Sequence, residues 1–350
     1  MSKSIPPDVK LITKSIFIDG FNEVISKLGT RVGPHIMYFN EQANDTKIRE
    51  FKRDFSDGIG TINQVLSDCT SGMVIIAGRA NAGKSTFLTA LEVGALRNNP
   101  DTLVVDISLD DPIKKRYQQL ICCMSGLRYT EVANPSLLTD SQLARRDAAQ
   151  KELYQWIEDE RFYPLQALQK ISEERYLKIR DYKHILYFAK YIRDLNPDKK
   201  IIFTIDAWNN IDYSSAGSGT EKMLTDGMLG ELKACFEQNE IIAFISAHLR
   251  KTKEKRVDIQ DVKGTSDLEY HATVTLIVRN ELKENQLVEP LMFDHEGREL
   301  PVLVLECPKN KGSEWTSNLY YPLDSSRNTL LMPSPQDYKA LHTTYIGKRR

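Results

Sequence analysis

The 350-residue chain carries 47 basic against 48 acidic residues, a net charge of −1, and 41% of its residues are hydrophobic. That balance supplies a packed core and excludes both a disordered chain and a globally basic nucleic-acid binder, so any contact with phosphates must come from local clusters. Five cysteines without a Cys-x-x-Cys pair argue against a zinc knuckle or a disulfide framework. No apolar run is long enough for a bilayer and no apolar leader opens the chain, so a cytoplasmic protein without membrane contact is expected.

In chain order, residues 1–55 are polar, carry Pro6, Pro7 and Pro34, and hold one amphipathic stretch, "IFIDGFNEVISKLG". They read as an arm whose helix packs on a neighbouring subunit. From residue 56 to 335 apolar strands alternate with helices. "MVIIAG" is a strand entering a glycine loop, "KSTFLTALEVGALRNNP" a helix that stops before Pro100, "TLVVDIS" a second strand, and "PIKKRYQQLICCMSGL" a helix with Pro112 at its start. A long charged helical stretch over residues 140–195 then bridges two strands. "KKIIFTIDAW" returns as strand, "TEKMLTDGMLGELKACFEQN" as helix, and "IIAFISAH", "ATVTLIVRN" and "PVLVLEC" as strands. Residues 336–350 read as a basic tail. The alternation predicts an α/β domain, a mostly parallel sheet flanked by helices with ligands at the carboxyl ends of its strands.

Gly78, Arg79, Ala80, Asn81, Ala82, Gly83, Lys84, Ser85 and Thr86 form a phosphate loop of the pattern G-x-x-x-x-G-K-[ST] between a strand and a helix. Glycines turn backbone N–H groups towards phosphates, the helix start adds partial positive charge, Lys84 reaches the outer phosphates and Ser85 ligates magnesium. The expected cofactors are therefore ATP, or another nucleoside triphosphate, with magnesium. Asp206 ends the apolar strand "IIFTID" and is the second carboxylate of the metal site. Hydrolysis also needs a base beside the attacking water. Asp110 and Asp111 lie just past "TLVVDIS"; Asp111 reads better as a helix cap, while Asp110 is open between cap and base. Arg279, after "TVTLIV", reads as a surface arginine at a strand end.

The series "AGRANAGKST", "DISLDDP", "IIFTID", "FISAHLRK", "DIQDVKGTSDLEYHATVTLIVRNE" and "ECPKNKG" resembles, in order and spacing, the RecA-like motor domain of DnaB-family replicative helicases. The helicase halves of phage primase-helicases are similar. The resemblance covers residues 55–331 and leaves the arm unaccounted for. It implies that Asp110 stands at the catalytic glutamate, that His248 senses the γ-phosphate, and that Lys309 and Lys311 match a Lys-x-Arg pair acting in the neighbouring subunit's site. Asp110 is one methylene shorter than glutamate, and Lys311 replaces a planar fork by a point charge. Both departures keep a slow or regulatory ATPase in play.

Arg250, Lys251, Lys253, Lys255 and Arg256 crowd one loop after His248, and Lys263 and Gly264 follow it. The resemblance implies that this segment holds the sugar-phosphate backbone of single-stranded DNA in a central channel; no aromatic residue interleaves it, so stacking is not indicated there. The expected function is a ring helicase, a homo-hexamer of a phage, mobile element or cell that unwinds duplex DNA in replication with 5′-to-3′ movement, alongside a separate primase or loader. Rival readings are a RecA-like switch that binds partners with little translocation, a recombinase-like filament, and a small-molecule kinase.

Overall fold

The computed structural model describes residues 7–27, 62–66, 69–172, 174–249, 267–280, 290–311 and 317–349. Its centre is β1 (Gly72–Gly78), every residue of which is buried. A strand covered on both faces needs apolar residues at consecutive positions, which "GMVIIAG" supplies. On one side of β1 the order runs through β7 (Ile241–His248), β6 (Lys200–Asp206), β2 (Thr102–Ser108) and β3 (Phe162–Gln166), all parallel. On the other side β8 (Val274–Asn280) is parallel, and then β10 (Arg298–Asn310), β11 (Leu319–Asp324) and β12 (Thr329–Leu330) are antiparallel, with β9 (Met292–His295) paired to β10.

Helices cover both faces, each following the strand that the sequence order expects. Among those that position the site, α1 (Lys14–Lys27) precedes the sheet, α2 (Lys84–Asn98) leaves the glycine loop, α3 (Ile113–Ser125) follows β2, and α4 (Asp140–Glu158) precedes β3. Then α5 (Tyr182–Leu195) leads to β6, α6 (Glu221–Gln238) to β7, and α7 (Pro335–Arg349) closes the chain. Phe87, Leu88 and Leu91 of α2 join Val74 and Ile76 of β1, while Tyr117, Leu120, Leu153, Phe188 and Leu229 fill the opposite face.

Three parts differ from the sequence expectation. The stretch over residues 140–195 is two helices separated by β3 and by a two-stranded hairpin, β4 (Leu168–Lys170) with β5 (Tyr176–Lys178). β3 escapes notice because it is short and contains Pro164, which is tolerated because β3 is the outermost strand on its side of the sheet. The last segment is the helix α7 and not a tail. Its Tyr338, Leu341 and Tyr345 recur at helical spacing and are buried, and Ser334 caps it by accepting from the Asp337 N–H at 3.2 Å. Arg279 is also buried, not superficial: its Nε donates to Glu306 at 2.7 Å, and the Tyr345 hydroxyl donates to the other Glu306 oxygen at 2.8 Å.

The amphipathic helix of the arm is where the pattern puts it, as α1, but it packs on its own chain. Phe17 meets Tyr163 edge-on at 5.6 Å between ring centroids, and Phe21 meets Tyr117 at 5.3 Å. The apolar stripe expected to face a neighbouring subunit is thus already covered. Phe21→Ala should lower folding stability by roughly 3–5 kcal/mol. Urea unfolding over a hundredfold range of protein concentration checks this; a loss seen only where chains associate would return the helix to a neighbour.

Candidate nucleotide site

At the carboxyl end of β1 the chain makes a tight loop and enters α2. Asn81 (φ 61°) and Gly83 (φ 105°) take the left-handed conformation. At Gly83 a side chain is also sterically barred, because a Cβ would come within 2.5 Å of Leu303 Cδ1. Lys84, the first residue of α2, folds back over the loop. Its Nζ donates to the carbonyls of Gly78 and Arg79 at 3.0 and 2.9 Å and lies 3.4 Å from His248 Nδ1. Burial pushes its ammonium down to about 8, against the pull of Asp206 and Asp110.

Sheet register explains why distant residues converge here. Gly78 is level with His248 on β7, and Asp206 ends β6 level with Ser108 of β2. The Ser85 hydroxyl donates to Asp206 Oδ2 at 2.5 Å, and the Ser246 hydroxyl donates to Oδ1. A hydroxyl and a carboxylate side by side at a helix start are the oxygen donors that a magnesium ion on a polyphosphate takes, so Ser85 and Asp206 fit that ion. Thr86 donates to Asn328 at 2.8 Å, anchoring the first turn of α2.

Asp110 is exposed beside this pair. Its N–H and that of Leu109 both donate to the Asp206 carbonyl, at 3.2 and 2.6 Å. Asn210 Nδ2 donates to Asp110 Oδ1 at 3.3 Å, and the His248 N–H donates to Asn209 Oδ1 at 3.1 Å. One short turn after Asp206 therefore touches both the candidate base and the candidate sensor. Sequence reading missed Asn209, Asn210 and Ser246; the only available signal was an Asn-Asn pair directly after a strand-ending aspartate. Asp111 does not cap α3, whose N-cap is Pro112; its carboxylate pairs with Lys115 at 2.7 Å and accepts from Gln119 at 3.1 Å.

Lys309 and Lys311 lie elsewhere. β10 runs antiparallel to β8, so Lys309 is level with Thr275 whereas Gly78 is level with Val278, and the Lys311 N–H donates to the Thr273 carbonyl. At roughly 3.3 Å per residue the pair sits about 15 Å from the glycine loop, at the opposite end of the sheet. Arg250, Lys251, Lys253, Lys255, Lys263 and Gly264 lie outside the described residues.

Behind the loop is a buried polar network that the sequence did not announce. Arg116 of α3 donates through Nη2 to Glu92 of α2, through Nε to Asp106 of β2 at 2.6 Å, and through Nη1 to Thr89 and Gln119 at 2.5 and 3.1 Å. Thr204 of β6 donates to Glu92 at 2.6 Å, and Thr89 donates to the Ser85 carbonyl at 2.8 Å. Two buried carboxylates thus share one guanidinium. Burial pushes Glu92 up to about 8 despite Arg116, and raises Asp106 as well.

Comparison with solved structures places the fold. A solved ATPase domain of the DnaB-like helicases superposes with a TM-score of 0.60 at 13% identity, over 75% of this chain and 84% of that one. A DnaB-like replicative helicase, solved in a study of its interactions with primase, gives a TM-score of 0.59 at 14% identity over 74% of this chain; the match spans 57% of that chain. No family model matches the sequence, and no curated protein does. The fold is that of a RecA-like helicase ATPase domain. Among the described residues no helix is long and apolar enough to cross a membrane.

A carboxyl group whose folded pKa is raised stabilises the fold while protonated and costs stability once it must ionise. For Glu92, ordinarily at 4.5 and here about 8, stability should therefore fall as pH rises between those values, by up to about 1 kcal/mol per pH unit for one proton. Glu92→Gln should flatten that slope, measured as urea midpoint against pH; an unchanged slope would show that Glu92 ionises in the fold at its ordinary value.

Proposed function

We propose that the chain is an ATP-driven ring helicase that moves on single-stranded DNA. The observation that carries the reading is the Ser85–Asp206 hydrogen bond at the mouth of the glycine loop, with Lys84, His248 and Asp110 around it. A magnesium-bound triphosphate laid on the backbone N–H groups of the loop would find Ser85 and Asp206 as ligands, directly or through water, and the ion would spread the charge of the outer phosphates. Lys84 leaves the Gly78 and Arg79 carbonyls for those phosphates. Asp110 takes the proton of the attacking water at Oδ2, since Asn210 engages Oδ1.

His248 ends β7, and the basic segment with Arg250, Lys251, Lys253 and Lys255 follows it directly, with Lys263 and Gly264 beyond. A change in what His248 touches is thereby delivered to the segment that would grip the sugar-phosphate backbone of the DNA. Lys309 and Lys311 lie far from their own glycine loop, so in this reading they serve the nucleotide of another subunit. Head-to-tail interfaces of that kind close into a ring, with a hexamer as the expected size. Unwinding in replication, 5′-to-3′ movement and a separate primase or loader belong to the same proposal. A regulatory switch is the second reading, favoured by the shorter Asp110 and by Lys311 in place of a forked side chain.

Hydrolysis measured with and without an oligonucleotide separates them. Wild-type protein should hydrolyse ATP faster on single strands, and Asp110→Asn should lose about 10²–10⁴-fold of the rate while still binding nucleotide. Lys84→Ala should abolish turnover without dispersing the ring. Wild-type hydrolysis indifferent to oligonucleotide would leave the switch; failure to retain an oligonucleotide at low salt would end the motor reading.

A further inference from the structure

The β4–β5 hairpin lies on the described surface, apart from the glycine loop and from the basic segment after His248. Its register pairs Leu168 with Lys178, Gln169 with Leu177 and Lys170 with Tyr176. Alternation then gives it two unlike faces. Gln169 and Leu177 are 6% and 4% exposed, whereas Leu168 and Tyr176 are 49% and 60% exposed beside exposed Lys170 and Lys178. An outward tyrosine is costly to leave in water, and each apolar side chain here has a lysine directly across from it. Arg175 and Arg180 are exposed as well, against Glu174 among the described residues of the hairpin.

We propose that this outer face, Lys170, Tyr176 and Lys178 with Leu168, is a second binding site for single-stranded nucleic acid, in which Tyr176 stacks on a base and the two lysines hold the flanking phosphates. The proposal rests on the functional reading above and adds what the basic segment lacks. That segment has cations but no aromatic side chain; the hairpin has both, the combination that binds unpaired strands without regard to sequence. The two surfaces are separate, because β3, from which the hairpin springs, lies three strands away from β7, about 14 Å at the usual spacing.

The hairpin is also tied to the catalytic edge of the sheet. β3 ends at Gln166, level with Ser108, which is itself level with Asp206. The Asp212 N–H donates to the Arg180 carbonyl at 2.7 Å, the Tyr182 N–H donates to the Asp212 carbonyl at 3.1 Å, and Ser215 donates to Asp181 at 2.7 Å. These bonds join the base of the hairpin to the segment that leaves Asp206. A strand held there is therefore anchored to the same chain segment that carries Asn209 and Asn210.

The test is anisotropy of a fluorescein-labelled oligo(dT) and an oligo(U) of equal length, titrated with the full chain over a range of salt. Tyr176→Ala should weaken binding of both about tenfold with little change in salt dependence, and Tyr176→Phe should restore it. Lys170→Glu with Lys178→Glu should lower the slope of log K against log salt by roughly 0.7 for each phosphate no longer neutralised. Lys222→Glu with Lys339→Glu, the same charge change elsewhere, should leave that slope as it is. Oligonucleotide-free hydrolysis should stay at the wild-type rate in all of them. A 5-iodouracil oligonucleotide irradiated with wild-type protein should crosslink within β4–β5, a readout independent of any variant's folding. Wild-type-like binding by the hairpin variants, or crosslinks only elsewhere, overturns this site and leaves the motor reading standing; a wild-type chain that retains no oligonucleotide overturns both.

Discussion

Ser85 and Asp206 are 121 residues apart, and the hydrogen bond between them at 2.5 Å is the constraint around which the rest of the site is arranged. It requires β6 to lie beside the immediate neighbour of β1, and its last residue to stop at the height of the loop. Parallel pairing of β1, β7 and β6 in their observed registers meets both demands. The same pairing brings His248 level with Gly78 and hangs the backbone of Leu109 and Asp110 on the Asp206 carbonyl. Four sequence segments become one edge because sheet register leaves the carboxyl ends of the strands nowhere else to go.

Beneath that edge the interior is less apolar than the strands suggest. Glu92, Asp106 and Arg116 are all buried, and their mutual bonds tie α2, β2 and α3 together. An enclosed carboxylate without a partner is expensive, so each of these groups depends on the others keeping their places. Thr89 carries the connection to the first turn of α2 through the Ser85 carbonyl. The position of Ser85 is thus set from below by the network and from the side by Asp206.

What could be read from the sequence follows from how local each signal is. The glycine loop, the strand ending in Asp206 and the buried strands β1, β2, β7 and β8 are legible because their apolar runs and flanking residues are contiguous. β3 is hidden by brevity and Pro164, and α7 by its surface charge, although Tyr338, Leu341 and Tyr345 already had helical spacing. Glu92 and Arg116 look like ordinary charged positions on amphipathic helices until the fold sets them against one another. Asn209, Asn210 and Ser246 act only through register and turn geometry, which no short stretch of sequence displays.

The antiparallel strands at the other end of the sheet are easily taken for an appendage. Yet Leu303 and Leu323 press against the loop at Gly83, and Asn328, in the turn after β11, receives the Thr86 hydroxyl. The segment that begins with β10 is therefore the floor on which the glycine loop rests. A gene shortened at the last parallel strand would keep every residue of the recognisable motif and lose the shape of it, which makes the smallest working unit of this chain longer than its motifs suggest.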